Sequence, residues 1–245
     1  MTITPSQQDV HPMLGRIAPT DWGHVEKHPM EAHLAGATPI VHARSWATPL
    51  TYNQEQTPQC VGYSWATCLT ALEYATHSEV VPFEARRIYN WANLNDGLPQ
   101  PHDGSMVRSG GDALRINGAL ADKTFHDSPP QDRWKISSFV NTTGVDTLTT
   151  FVINNGPVVI GINWYNGFFT PDANGFIKIV PNDPIAGGHA ICVRAVDLIR
   201  GFATLHNTWG KWGYKGTGDA FISLTDLATL LAQDGEACGP VILAA

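Results

Sequence analysis

Hydrophobic positions change their period part-way along the chain. Between Cys60 and about His77, the residues Val61, Trp65, Leu69, Leu72 and Ala75 recur at helical spacing, which predicts an amphipathic helix with Pro58 just upstream of its first turn. The stretch Pro82 to Asn95 predicts a second helix and Ser109 to Asn117 a third, stopped near Gly118. After about residue 130 the pattern becomes short, β-rich runs: Trp134 to Val140, Pro157 to Trp164, Phe176 to Val180, His189 to Leu198, Phe202 to Leu205 and Ala220 to Leu224. One helix, Asp146 to Asn154, interrupts them. Helices first and strands later, without strict alternation, predict an α+β fold of two lobes instead of a doubly wound sheet. Residues 1–45 are polar, rich in Pro and His and weakly periodic, and are expected to form an extended N-terminal lead-in. Residues 46–130 then form a helical lobe and residues 131–245 a β-rich lobe.

Composition narrows the class. The 245 residues are 43% hydrophobic and 15% charged, enough to bury a full core. A formal net charge of −7, with no cluster of Lys and Arg, argues against nucleic acid as a partner. The first residues lack the basic start and apolar run of a signal peptide, and no stretch approaches the ~18 apolar residues of a membrane span. A cytoplasmic protein is expected, or a virion-associated one if phage-encoded. Cys60, Cys68, Cys192 and Cys238 are too sparse for a disulfide scaffold and are not spaced for zinc. No metal or cofactor is called for, and the sequence fixes no oligomeric state.

Three stretches carry candidate chemistry: Asn53-Gln54 followed by Cys60, Gly187-Gly188-His189-Ala190, and Asn207-Thr208-Trp209-Gly210. A thiol nucleophile needs a base, a group that orients the base, and donors for the oxyanion formed on the attacked carbonyl. Cys60 at a helix amino end, beside an imidazolium, is expected to be a thiolate at neutral pH. His189 would be the base, Asn207 its orienter, and Gln54 an oxyanion donor together with the Cys60 backbone N–H.

These residues resemble the papain-like cysteine peptidases, in particular short bacterial and viral members. The resemblance rests on Gln54 and Cys60, Tyr63 and Ser64 in the following helix, Gly188-His189-Ala190, and Asn207 to Gly210 followed by Trp212-Gly213 and Gly216. His189 and Asn207 follow Cys60 by roughly 130 and 150 residues, the family's interval. It implies a two-lobe fold with a helical lobe, a β-barrel-like lobe and the active-site cleft between them. It also implies a Cys60-His189-Asn207 triad with Gln54 at the oxyanion, Trp209 shielding the His189–Asn207 bond and contacting substrate, and a peptide or protein substrate. Gly104 and Ser105 would pair with the substrate backbone, and the glycines before His189, Gly188 among them, would leave room for it. The chain departs from the family at Val61, Glu55, Pro58-Gln59 and Thr57, where tryptophan, glycine, small residues and cysteine are usual.

Other readings use the same residues. A catalytically inactive protein that keeps the fold for binding or structure, and a thiol acyltransferase, are both compatible with them. Cys68, Cys192 and Cys238 read as core residues. His102, His126 and His206 have no spacing argument for catalysis.

Overall fold

The computed structural model describes residues 11–122 and 134–242; the lobe boundary expected near residue 130, and His126, lie outside the described residues. The first half contains two short helices, α1 (Gly23–Lys27) and α2 (Met30–Leu34), a short strand β1 (Ala43–Ser45), and the helices α3 (Cys60–His77), α4 (Ala85–Asn95) and α5 (Val107–Ile116). α3 starts at Cys60, as the periodicity predicts. α4 starts later than Pro82 because Phe83 bridges Ala121 and the Glu84 N–H donates to the Leu120 carbonyl at 2.9 Å, holding that stretch extended.

The second half contains β2 (Ser138–Thr142), α6 (Val145–Asn154), β3 (Val158–Tyr165), β4 (Ile185–Asp197), β5 (Phe202–His206), β6 (Asp219–Ser223), α7 (Leu224–Ala232) and β7 (Glu236–Val241). These strands form one antiparallel sheet in the order β2-β7-β3-β4-β5-β6, with β1 pairing to β4. Among the described residues the end strands β2 and β6 are not paired with one another. The strand expected over Phe176 to Val180 does not form. Asp172 ties that stretch into a loop, accepting from the N–H groups of Asn174 and Phe176, and only one bridge to Phe221 survives. Trp134 likewise makes a single bridge, to Ala119, ahead of β2. The sequence reading missed α7, whose Ser223 cap accepts from the Asp226 N–H and whose Leu227, Leu230 and Leu231 are buried. It also missed β7.

Two-residue alternation along the central strands explains how the sheet is covered. Val158, Ile160, Ile162 and Trp164 of β3, with Ile191 and Val193 of β4, join an apolar cluster with α6 and α7. Val159, Ala190 and Cys192 point the other way, into a cluster with α3, α4 and α5. This alternation also sets the site: Ala190 faces α3, while His189 takes the face of Ile191. Among the described residues no helix is long and apolar enough to cross a membrane.

Candidate active site

The amino end of α3 abuts the amino-terminal part of β4. Cys60 Sγ accepts a hydrogen bond from the Ala190 N–H at 3.4 Å, so the thiol lies against the peptide that joins His189 to Ala190. His189 is paired in register with Ile162 of β3, and Asn207 follows directly on β5. His189 Nε2 and Asn207 Oδ1 are 2.9 Å apart. The roles of the two atoms follow from their neighbours. Asn207 Oδ1 also takes the Thr208 N–H at 2.8 Å, which fixes it as the oxygen and makes Nε2 the donor. A neutral imidazole with its proton on Nε2 has its lone pair on Nδ1, and this buried atom has no hydrogen-bond partner among the described residues. No hydrogen bond joins the ring to the Cys60 thiol in this arrangement.

Rings surround the His189–Asn207 pair. Trp209 lies 4.6 Å from the imidazole, centre to centre, and Trp164 lies 4.6 Å away at 70°. Phe169 stacks on Trp209 at 5.5 Å. Trp209 is thus placed against the imidazole, with Trp164 beside it; the sequence reading did not single out Phe169. Asn53 bridges Trp209, and the Gln54 N–H donates to the Thr208 carbonyl at 2.8 Å, so the loop before α3 is laced to the chain after β5. Gln54 Oε1 accepts from the Thr208 hydroxyl at 2.7 Å, which turns its amide nitrogen toward the cleft.

The cleft is filled by the chain's own residues 13–17. Gln54 Nε2 donates to the Thr57 carbonyl at 2.7 Å and to the Met13 carbonyl at 3.1 Å. The Ser105 N–H donates to the Gly15 carbonyl at 2.8 Å, the Ile17 N–H to the Ser105 carbonyl at 2.9 Å, and the Arg16 N–H to the Gly188 carbonyl at 3.0 Å. The pairing with Ser105 is parallel. Leu14 is buried in the cluster that contains Trp164 and Trp209. A Cβ on Gly188 would sit 2.2 Å from the Arg16 carbonyl oxygen, so only glycine admits this segment so closely. The predicted edge divides: Ser105 pairs with the segment, while the Gly104 carbonyl is taken by Asn93 and its N–H donates to the Tyr89 hydroxyl. Sequence reading missed this occupancy altogether. Its signal was the apolar island Met13-Leu14 and Ile17 inside a polar lead-in.

Electrostatics follow from the plug. The expectation of a thiolate is corrected: burial pushes the Cys60 thiol up to about 11, opposed by the N–H groups of Ala190, Gly15 and Val61 and by the charge of Arg16. Burial likewise pushes His189 down to about 4, with the Asn207 hydrogen bond resisting. Near neutral pH the plugged site therefore holds a neutral thiol and a neutral imidazole. Cys68, Cys192 and Cys238 are also free and buried. His102 and His206 belong to separate clusters, with Asp96 and Asp219 respectively. Among the described residues no group of His, Cys, Asp and Glu could hold a metal ion.

No family model matches the chain, and no curated protein matches it by sequence. Solved structures do match in three dimensions. Xylellain, a cysteine protease from Xylella fastidiosa, is similar with a TM-score of 0.75 at 17% identity, over 99% of this chain and 100% of that one. The digestive procathepsin L2 proteinase of the Tenebrio molitor larval midgut gives 0.71 at 16% identity, over 98% and 81% of the two chains. Procathepsin B S9 of Trypanosoma congolense gives 0.69 at 13%, over 94% and 86%. A helical lobe that begins with Cys60, an antiparallel sheet that carries His189, and this likeness over almost the whole chain together establish that the protein has the papain-like cysteine protease fold.

Proposed function

We propose that the protein is a cysteine peptidase, held latent here by its own residues 13–17. The observation that carries this reading is the hydrogen bond from His189 Nε2 to Asn207 Oδ1, beside a thiol at the start of α3, in a papain-like fold. With the segment withdrawn, water reaches both groups, burial no longer opposes charge, and the thiol proton passes to His189 Nδ1. The thiolate attacks a peptide carbonyl. The oxyanion is stabilised by Gln54 Nε2, which now donates to the Met13 carbonyl, and by the Cys60 backbone N–H. His189 protonates the leaving amine, giving a thioester. It then takes a proton from water, which attacks the thioester and releases the acid product and free thiol. Asn207 orients the ring and the surrounding tryptophans keep water from its hydrogen bond. The lead-in, the helical lobe and the β-rich lobe act as one catalytic unit on peptide or protein substrates. The procathepsins among the structural neighbours are proforms by name, which supports latency as a state for this fold.

The test is covalent. An electrophilic cysteine-peptidase inhibitor should modify Cys60 and none of the other three thiols, more rapidly in protein whose segment has been loosened, and Cys60→Ala should abolish both labelling and peptide cleavage. Modification spread over all four thiols, with no cleavage, would favour a binding protein that keeps the fold. Acyl transfer to an added amine in preference to hydrolysis would favour the transferase.

A further inference from the structure

At the end of the sheet away from His189, the strands β1, β4, β5 and β6 form the floor of an open groove. Register sets its rows: Ala43 pairs with Asp197 and Asp197 with Phe202, while Ser45, Ala195, Thr204 and Phe221 pair in turn. Val196, Ala203 and Ile222 alternate to the other face and join the apolar cluster there. His189 lies on that other face, and roughly 25 Å back along β4 from Asp197 by the rise of the strand. The groove is therefore separate from the cleft. It holds about 510 Å³ and is lined by Phe202 and Phe221, with Ala43 and Ala195 leaving space above the sheet. The two phenyl rings meet edge to face at 5.5 Å, and both pack on Phe176.

Three arginines line the groove, on a chain whose net charge is −7. They are not equivalent. Arg194, where β4 shifts register against β5, donates through Nε and Nη2 to Asp219 and through Nη1 to Ser45 Oγ and the Trp46 carbonyl, so its charge is matched and it forms a wall. Arg44 is exposed with its guanidinium 4.7 Å from the centre of the Trp46 ring, and among the described residues no carboxylate pairs with it. The Arg200 side chain is 76% exposed and lies 3.7 Å from Asp197, whose other oxygen accepts from the N–H groups of Ile199 and Arg200. Such an exposed pair contributes little and exchanges readily. An apolar rim adjoins these two outer cations. The Leu198 N–H donates to the His42 carbonyl at 2.8 Å, and one further residue of that register sets Val41, 44% exposed, opposite Ile199, 79% exposed.

We propose that this groove docks an extended acidic segment of a partner protein, with carboxylates at Arg44 and Arg200 and an apolar side chain on Phe202 and Phe221. Charge complementarity sets the sign: a carboxylate matches the fork of a guanidinium, whereas a basic segment would meet like charge. Four strands span roughly 15 Å, room for about four extended residues. A phosphate chain fits less well, because its affinity grows with the number of phosphates neutralised, and two outer arginines on an acidic protein neutralise few. The site is independent of the peptidase reading, since docking requires neither Cys60 nor His189.

Fluorescence anisotropy of short labelled peptides titrated with the full-length protein tests this, with mass spectrometry confirming that each peptide stays intact. Peptides with Glu on both sides of a central Leu should bind saturably. Affinity should fall about tenfold when Gln replaces Glu, and by a similar factor when the protein carries Arg44→Ala together with Arg200→Ala, the scale of two solvent-facing charge pairs. Ser in place of the central Leu should weaken binding several-fold. Both arginines are exposed, so the double variant should keep the wild-type thermal midpoint. Equal affinity for the Glu and Gln peptides or for the Leu and Ser peptides, binding unaffected by the double variant, or no saturable binding overturns the proposal. So does a single-stranded oligonucleotide that binds more tightly than the acidic peptide and is released by the double variant, which would assign the groove to nucleic acid. A dimer that the same variant dissociates would assign it to a second copy of the chain and overturn the proposal likewise. The binding should be unchanged in Cys60→Ala, so failure of the peptidase reading and failure of the groove are told apart.

Discussion

The sheet that carries His189 and the segment that covers Cys60 are both buried, yet different forces bury them. β3 and β4 are apolar on both faces, with Val158, Ile160 and Ile162 toward one cluster and Val159, Ala190 and Cys192 toward the other. That is the signature of a scaffold held by hydrophobic burial. Residues 13–17 contribute one deeply buried apolar side chain, Leu14, and otherwise rest on backbone hydrogen bonds and the Arg16–Glu236 pair. Hydrogen bonds exchanged with water give small net stabilisation, and a buried ion pair is weak support against the cost of desolvating it. The scaffold should therefore survive changes that dislodge the plug, and the plug should respond to changes the scaffold ignores.

The largest effect should come from the scaffold's chemistry. On the proposed peptidase mechanism, Cys60→Ala and His189→Ala each remove an element of a unit that works only when complete, so cleavage by unplugged protein should fall by about four orders of magnitude or more. Steady-state assays on both variants check it. A His189→Ala protein that retains a tenth of the activity would mean that another base serves the thiol.

Next in size is release of the plug. Leu14→Asp sets a carboxylate among Trp164, Trp209 and their neighbours, at a cost of several kcal/mol if it stays buried. The segment should leave instead. Labelling of Cys60 by a small electrophile should then accelerate by about a hundredfold, while the thermal midpoint falls by only a few degrees. Equal labelling rates with a collapsed midpoint would mean that the segment is part of the core, and the contrast between the two regions would disappear.

Protonation probes the same boundary more gently. His189 has its folded value lowered to about 4 from an ordinary 6.5, so the plugged state holds it neutral while an open or unfolded state binds a proton. The stability of the plugged state is complete above pH 6.5 and is lost as pH falls from 6.5 toward 4, by about 3 kcal/mol at most. At the other end the Cys60 thiol, raised to about 11 from 9.0, makes that state lose stability as pH rises from 9 to 11. Thermal midpoints of wild type and His189→Gln, compared from pH 7.5 to 4.5, should diverge, with the wild type falling more steeply. Parallel curves would place the titration elsewhere.

How much of this could be read from the sequence follows the same division. The scaffold repeats: five apolar residues at helical spacing fixed the start of α3, and short β-rich runs found β3, β4 and β5, because burial against a core is what imposes such runs on a sequence. Cys60 starts one of those elements, Asn207 follows directly on another and His189 lies inside β4, so the candidate residues were legible along with them. The Phe176 stretch looked like a strand but lacked partners beyond Phe221, and pairing is a tertiary property. The plug has no repeat. Its hydrogen bonds are made by backbone atoms that every residue possesses, and the contact of Arg16 with Glu236 joins residues from the two ends of the chain. Nothing local in Gly15-Arg16 announces either.

The smallest effect should come where the two regions share a side chain. Trp209 packs on His189 from the scaffold and shares its apolar cluster with Leu14 from the plug. Its indole N–H is buried without a hydrogen-bond partner among the described residues. Trp209→Phe would keep an aromatic ring against Phe169 and remove that unsatisfied donor, so the loss of packing is partly offset. The thermal midpoint should move little. A smaller ring admits water to the His189–Asn207 hydrogen bond, and kcat of unplugged protein should fall a few-fold, about 1 kcal/mol, with KM unchanged. A drop in stability without a change in kcat would assign Trp209 wholly to the scaffold. A rise in Cys60 labelling with kcat intact would assign it to the plug's seat, and either result would locate the line between what holds the fold and what closes it.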